Sequence, residues 1–171
     1  MNIYFDCEFT KLISFFDPEP AELISIGCIS DDGETFYAEN KTTISRPEIF
    51  SDFVIEVVTP LLEGGDYLMS YSAIAEKLKV WIESFGEEVR LLSDAPGLDF
   101  PYVDHMFKVH GWPSNLFRQP MLIAHARLSN NVEEIFRVQG YRRHHALDDA
   151  IVNKMAYEKV TSEKIKNDDD F

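Results

Sequence analysis

The chain has 171 residues and a mass of 19.7 kDa, which is enough for one domain with a hydrophobic core. Hydrophobic residues make up 45% of it, which excludes a disordered protein, and no stretch approaches the roughly 18 apolar residues of a membrane span. The formal net charge of −14 repels phosphate backbones at long range and argues against a broad groove for duplex nucleic acid. We expect no secretory signal and no membrane partner, and therefore a cytoplasmic protein.

The N-terminal third has the pattern of a β-meander. Residues 1–10 alternate in hydropathy around two acids, residues 22–30 are rich in β-branched side chains, and an aromatic segment covers residues 34–40. Residues 31–33, Asp-Asp-Gly, are a turn signal. We therefore predict three antiparallel strands. Residues 41–69 show no clear period and support no assignment.

The next part of the chain alternates between helical and strand-like patterns. From residue 72 an apolar stripe at helical spacing leads to Gly86, a stop signal. The stripe consists of Ile74, Leu78, Trp81, Ile82 and Phe85. A short buried strand is predicted over residues 89–92, followed by a helix over residues 100–110 with Pro101 in its first turn.

The C-terminal part predicts a strand and two helices. Residues 121–124 are a short apolar run typical of a strand. Asn131 and Glu134 have the spacing of a capping box for a helix that Gly140 ends, and the last helix covers residues 146–159.

The order of elements predicts a single α/β domain over residues 1–160. Its central sheet is mixed, with an antiparallel three-stranded meander followed by alternating strands and helices, and helices flank it. Residues 161–171 are predicted to be a flexible acidic tail. Cys7 and Cys28 lie in apolar strand-like runs, which predicts reduced core thiols.

Two acidic side chains share one face of the first predicted strand. Asp6 and Glu8 are two positions apart, so both point to the same side while Cys7 points to the other. Like charges in an apolar strand repel each other and cost desolvation energy, and a bound divalent cation relieves both effects. Taken alone, the pair also fits the solvent-facing side of an edge strand, which is the commoner case.

Two histidines and two acids stand together in residues 144–150, His-His-Ala-Leu-Asp-Asp-Ala. Taken alone, they fit the exposed and capped start of a helix. The apolar side chains of Ala146 and Leu147 place this turn against the core, which favours a buried site.

Three segments taken together resemble the DEDDh family of 3′–5′ exonucleases. They are FDCEFTKL at residues 5–12, LDFPYV at residues 98–103 and HHALDDA at residues 144–150. The resemblance covers nearly the whole chain and is greatest to compact bacterial exoribonucleases: oligoribonuclease, ribonuclease T and ribonuclease AS. It implies a ribonuclease H-like fold and hydrolysis of single-stranded RNA from the 3′ end, with release of nucleoside 5′-monophosphates. A DNA exonuclease of the proofreading type and a catalytically inactive nucleic-acid-binding module of the same fold are the alternatives.

The resemblance also implies a two-metal site and its catalytic residues. Asp6, Glu8, Asp99 and Asp149 would bind two divalent ions, and His144 would be the general base. Mg²⁺ or Mn²⁺ suits a site made of carboxylates, and two such ions suit phosphodiester hydrolysis.

Two of these assignments have alternatives. Asp99 also fits a helix N-cap, and Asp94 at the end of the preceding strand is then the alternative ligand; family members often carry His-Asn where this chain has Asp94 and Ala95. Helical spacing pairs His145 with Asp149 at i, i+4. The family pattern selects His144, which requires a loop just before the helix.

Five residues are candidates for contact with the substrate. The resemblance implies Phe9 and Thr10 beside the terminal nucleotide and Leu12 against a base. Arg143, with Arg142, would contact the phosphate at the scissile bond. Phe9 and Leu12 also fit ordinary core positions. A symmetric homodimer, common in the family, is a further implication.

Overall fold

The computed structural model describes residues 1–12, 19–123 and 125–168. Within them, six strands form one mixed sheet in the order β4-β3-β2-β1-β5-β6. The strands are β1 Asn2–Phe9, β2 Leu23–Ser30, β3 Thr35–Asn40, β4 Leu68–Met69, β5 Arg90–Ser93 and β6 Met121–Leu122. The first three strands pair antiparallel, as the meander pattern predicts, and the other three each pair parallel with a neighbour.

Strand β1 lies in the middle of the sheet, between β2 and β5. The reading of its acidic pair as the solvent-facing side of an edge strand is therefore wrong. Gly33 ends the turn between β2 and β3 with a φ of 88°, and its N–H donates to Ser30 O at 3.0 Å. This left-handed conformation is one that glycine adopts without steric cost.

Five α-helices lie in the described part of the chain: α1 Lys41–Ile44, α2 Tyr71–Glu83, α3 Pro96–His110, α4 His125–Gln139 and α5 Ala146–Asp168. Between α1 and α2 the backbone forms 3₁₀ turns at Pro47–Ile49, Thr59–Leu61 and Gly65–Tyr67, and a π-helical turn at Val54–Val58. Such short turns are too brief to produce a periodic pattern, which explains why residues 41–69 gave no assignment.

Helix α2 confirms the apolar stripe predicted for it. Ser70 caps the helix by accepting a hydrogen bond from Ala73 N at 3.2 Å, and the buried side chains are Ile74, Ala75, Leu78 and Ile82. Gly86 follows the helix with a φ of 68°, as expected for a stop.

Two helices begin earlier than their local signals predict. Helix α3 begins at Pro96, so the expectation of Pro101 in the first turn is wrong, and Pro101 lies inside the helix. Helix α4 begins at His125, so the predicted capping box at Asn131 is wrong as well. The buried residues Leu128, Val132 and Ile135 form its apolar stripe, which starts before Asn131. Burial of that stripe outweighs a favourable capping sequence.

The last predicted strand and helix also differ in length. Strand β6 is only Met121–Leu122, and Ala124 lies outside the described residues. Helix α5 continues to Asp168 instead of ending near residue 159. The flexible tail over residues 161–171 stays a prediction, and residues 169–171 lie outside the described part.

The sheet has a hydrophobic layer on each face. One layer packs α2 and α3 against the odd-numbered side chains of β1, which include Phe5 and Cys7. The other packs α4 and α5 against Tyr4 and its neighbours on the sheet. Cys7 and Cys28 are buried free thiols, as predicted. None of the described helices is both long and apolar enough to cross a membrane.

Candidate metal centre

Five carboxylates from separate parts of the sequence line one cavity of about 400 Å³. They are Asp6 and Glu8 on β1, Asp94 directly after β5, Asp99 in the first turn of α3, and Asp149 in the first turn of α5. Strands β1 and β5 are parallel, so their carboxyl ends meet at the same edge of the sheet and bring these side chains together.

The carboxylates form two groups that share Asp6. One oxygen each from Asp6, Asp94 and Asp99 lie within 4.8 Å of one another, and the same holds for Asp6, Glu8 and Asp149. Asp94 and Asp99 both belong to the first group, so the structure brings both candidates for the middle ligand to the cavity. Asp99 is not an N-cap, because it lies within α3.

Burial and the charges of neighbouring carboxylates raise the pKa values of Asp6, Glu8 and Asp149. Burial and the nearby Asp99 raise the pKa of Asp6 well above its ordinary value. Burial and the charge of Asp149 raise the pKa of Glu8 to about 8, and burial raises the pKa of Asp149 to about 7. These shifts mean that the ionised cluster is unfavourable in the protein alone. A divalent cation, which prefers carboxylate oxygen, fits this donor set.

Asp99 is held in place by a hydroxyl group. Its side chain is 3% exposed, and Ser93 Oγ donates a hydrogen bond of 2.5 Å to its Oδ2. The Ala95 N–H in turn donates to Ser93 Oγ at 2.9 Å. Burial raises the pKa of Asp99 to about 7, although the hydrogen bond from Ser93 lowers it.

The start of α5 lies directly on strand β2 at Gly27. A Cβ atom built at Gly27 would lie 2.1 Å from Leu147 N and 2.3 Å from Ala146 C. Gly27 pairs with Asp6 across β1 and β2, so this close approach brings the first turn of α5 to the carboxylates. Sequence reasoning did not single out Gly27, although a glycine within a strand is a known signal of close backbone approach.

His144 lies in the turn just before α5 and lines the same cavity. Its φ is 66°, and its ring meets that of Phe53 edge to face, with centroids 5.1 Å apart. Burial and the charge of Arg143 lower the pKa of His144, which favours the neutral imidazole at pH 7.

His145 points away from the cavity and caps the start of α5. It is 2% exposed, its ring stacks on Tyr37 at 4.6 Å, and its Nδ1 accepts a hydrogen bond from Asp148 N at 3.3 Å. Helical spacing does not bring His145 next to Asp149, because a capping side chain turns back to the exposed N–H groups of its helix.

The candidate substrate residues lie in two neighbouring regions. Phe9 lines the carboxylate cavity and packs on Tyr102 at 4.6 Å. Thr10 is buried and lines an adjacent cleft of about 550 Å³, with its hydroxyl accepting a hydrogen bond from Glu22 N at 3.0 Å. Leu12 is 87% exposed, so the reading of Leu12 as a core residue is wrong.

The two arginines before His144 have different positions. Arg143 lines the cavity, with its guanidinium over the ring of Phe136 at 4.6 Å and a 2.7 Å hydrogen bond to Glu133. Arg142 binds Asp148 and Glu63 instead. The structure therefore does not bring Arg142 to the cavity, contrary to expectation.

The fold is an α/β, ribonuclease H-like fold, which confirms the predicted class. The structure of Pop2p from S. pombe, in a form with Mg²⁺ and Mn²⁺ bound, is similar with a TM-score of 0.67 and 14% identity over 94% of this chain and 82% of that one. Two structures of exonuclease I, one with bound product, have TM-scores of 0.56 and 0.57 at 12% and 13% identity; each match covers 94% of this chain but 43% of the exonuclease I chain. No protein-family model matches the sequence, and no curated protein matches it significantly.

The metal-free protein is expected to lose stability as the pH rises. Asp99 and Asp149 have pKa values of about 7 and Glu8 of about 8, well above unfolded values near 4. Their contribution to stability is fully present below pH 4 and is lost as the pH rises through 7 to 8. One pKa unit corresponds to about 1.4 kcal/mol. Because 1 kcal/mol is worth roughly 2–4 °C here, we expect the Tm in chelator to fall by about 5 °C or more from pH 5.5 to pH 8.5.

Divalent ions should reverse most of this loss. Mg²⁺ or Mn²⁺ should raise the Tm at pH 8.5 and change it little at pH 5.5, because the ions bind ionised carboxylates. As a control, an Asp104→Asn variant loses a partly exposed carboxylate paired with Lys108 at 2.6 Å and should respond like the wild type. A Tm in chelator that stays constant or rises over this interval would contradict the raised pKa values.

Proposed function

We propose that the protein is a metal-dependent 3′–5′ exonuclease that hydrolyses single-stranded RNA and releases nucleoside 5′-monophosphates. The observation that carries this proposal is the two sets of three carboxylates that share Asp6, with the imidazole of His144 lining the same cavity. The RNA preference rests on the sequence motifs, which resemble those of compact bacterial exoribonucleases.

The residues of the cavity suit two divalent ions, Mg²⁺ or Mn²⁺. Asp6 would contribute to both positions, together with Asp94 and Asp99 at one and with Glu8 and Asp149 at the other. When bound, such ions neutralise charge at the scissile phosphate and make the attacking water more acidic. The Mg²⁺ and Mn²⁺ in the Pop2p structure support the choice of ions.

We also propose roles for other side chains at the site, on the basis of the sequence resemblance and of their positions. His144 accepts the proton of the attacking water, since a general base must be unprotonated and the lowered pKa of His144 favours the neutral imidazole near pH 7. Arg143 lines the cavity and attracts the phosphate there. By the sequence resemblance, Phe9, which lines the cavity, would contact the terminal nucleotide, and the exposed Leu12 would pack against a base. Thr10 would lie beside the same nucleotide, with its buried hydroxyl still accepting the hydrogen bond from Glu22 N.

Matched oligonucleotides test the proposal. Single-stranded RNA and DNA of one sequence, labelled at the 5′ end, are incubated with Mg²⁺ or Mn²⁺ and with chelator. We expect a ladder that shortens from the 3′ end, faster on RNA, and no products in chelator. A purified Asp149→Asn variant controls for contaminating nucleases. Faster cleavage of DNA would favour the proofreading type, and binding without cleavage would favour the inactive module.

Replacing each histidine separately tests the choice of general base. A His144→Ala variant should lose about 10²–10⁴ in kcat, the usual share of a general base. A His145→Ala variant should keep kcat within about tenfold, but its Tm should fall by about 2–4 °C, because it loses a helix cap worth about 1 kcal/mol. Single-turnover hydrolysis and thermal melts measure both effects. The reverse order of rates would assign the base to His145.

A further inference from the structure

The backbone of His144 adopts a conformation that the surroundings must enforce. Among the described residues, His144 is the only one other than glycine with a positive φ, which is 66°. A non-glycine residue in this region costs about 1–3 kcal/mol and persists where its neighbours over-determine it. Something in this turn must therefore stabilise the conformation of His144.

Arg142, two residues earlier, fixes the turn to the first turn of α5. Its backbone N–H donates to Asp148 Oδ2 at 2.8 Å. Its side-chain Nε donates to the same oxygen at 2.9 Å, and a terminal nitrogen reaches Oδ1 at 3.2 Å. A bidentate pair of this kind fixes direction as well as distance.

The other end of the Arg142 guanidinium is fixed to the sheet. Its second terminal nitrogen donates to Glu63 Oε1 at 2.6 Å. Glu63 belongs to a loop whose N–H groups, at Glu63 and Gly64, donate to the carboxylate of Glu39 at 2.6 and 3.1 Å. Glu39 lies on β3, is 0% exposed, and also accepts a hydrogen bond of 2.9 Å from Tyr37. Arg142 thus links the start of α5 to a buried point on the sheet.

Phe53 also restrains His144. Its ring meets the imidazole edge to face at 5.1 Å. Phe53 is 51% exposed, yet the next residue, Val54, is buried and packs with Val58 against Ile24 on β2. The backbone of Phe53 is therefore anchored, and its ring limits where the imidazole can move.

We infer that Arg142 is a positioning residue for His144. By holding Asp148 and Glu63 together, its guanidinium keeps the turn before α5 in the conformation that directs the His144 imidazole into the carboxylate cavity. Lysine cannot replace it, because an ammonium group does not provide the planar fork that binds two carboxylates in fixed directions. The catalytic consequence rests on the proposed exonuclease function, whereas the structural consequence does not.

The structural consequence is measured by NMR of the histidine side chains. The imidazole protons of His144, assigned with a His144→Gln variant, should be shifted by the ring current of Phe53 and should move in a Phe53→Leu variant. In Arg142→Gln and Arg142→Lys variants we expect the same signals to move in the same direction or to broaden. An Arg118→Gln variant is the control, because the Arg118 guanidinium lies over the ring of Trp112 and not against the turn before α5. The His144 signals should not change in this variant.

The catalytic consequence is a loss of kcat without a loss of binding. In Arg142→Gln we expect kcat to fall about 10²-fold, the effect of a misplaced catalytic group, with KM within about twofold and with the Tm increase on Mn²⁺ retained. If Arg142→Gln proves unstable, Glu63→Gln keeps the fork on Asp148 and should show the same pattern more weakly. Unchanged His144 signals in a folded Arg142 variant would overturn the inference. If the wild type hydrolyses nothing, the proposed function fails and the NMR result alone decides the role of Arg142.

Discussion

An Asp6→Asn variant is expected to lose about 10³-fold or more in kcat, since stabilisation by bound cations is worth several kcal/mol and each 1.4 kcal/mol is tenfold. Asp6 belongs to both sets of three carboxylates, so its replacement should weaken cation binding at both positions. Calorimetric titration with Mn²⁺ measures the number of cation sites and their affinities. We expect two sites in the wild type, one in Glu8→Gln, and none of comparable affinity in Asp6→Asn.

The same variant should be more stable than the wild type without metal. Burial and the neighbouring carboxylates raise the pKa of Asp6, which means that its ionised form is destabilising when no cation is bound. A neutral amide of the same shape removes that cost. The Tm in chelator at pH 8.5 should therefore rise, and Mn²⁺ should no longer increase it. Near-wild-type turnover, or a lower Tm in chelator, would show that Asp6 is an ordinary structural carboxylate.

A Gly27→Ala variant is expected to lose about 10²-fold or more in kcat, because small displacements of catalytic groups have effects of that size. The added methyl group would meet backbone atoms at 2.1 to 2.3 Å, so the start of α5 must move away from β2. That movement displaces Asp149 from the carboxylates on β1 and changes the turn that holds His144.

The same substitution should also lower stability. Overpacking costs roughly 1–3 kcal/mol, which corresponds to a decrease in Tm of about 2–12 °C. A Gly97→Ala variant is the matched control, because a Cβ atom at Gly97 meets nothing within 4 Å. Alanine there should leave the Tm unchanged or raise it slightly, since alanine favours the helix. Full activity in Gly27→Ala would mean that the first turn of α5 does not have to touch β2.

Local signals were sufficient to predict those parts of the fold that a periodic pattern or a short turn motif encodes. Alternation over β1 predicted that Asp6 and Glu8 share a face, and the Asp-Asp-Gly turn predicted the hairpin between β2 and β3. Both depend on residues a few positions apart, whose geometry the backbone alone determines. The same local reasoning was wrong for the starts of α3 and α4, although Pro101 and Asn131 have the chemistry of helix starts. Helix α3 begins at another proline, Pro96, and the buried stripe of α4 begins at Leu128, before Asn131.

Composition and local patterns were enough to predict the α/β class, the reduced cysteines and the set of acids and histidines from which a site could be built. Which of these side chains meet depends on the packing of the folded chain. It brought Asp94 as well as Asp99 to the cavity, turned His145 away to cap α5, and directed Arg142 to Asp148 and Glu63. It also showed why Gly27 is a glycine. These outcomes depend on contacts between segments far apart in the chain, such as β2 with α5 or β3 with the loop at Glu63, and no local period or spacing encodes such contacts.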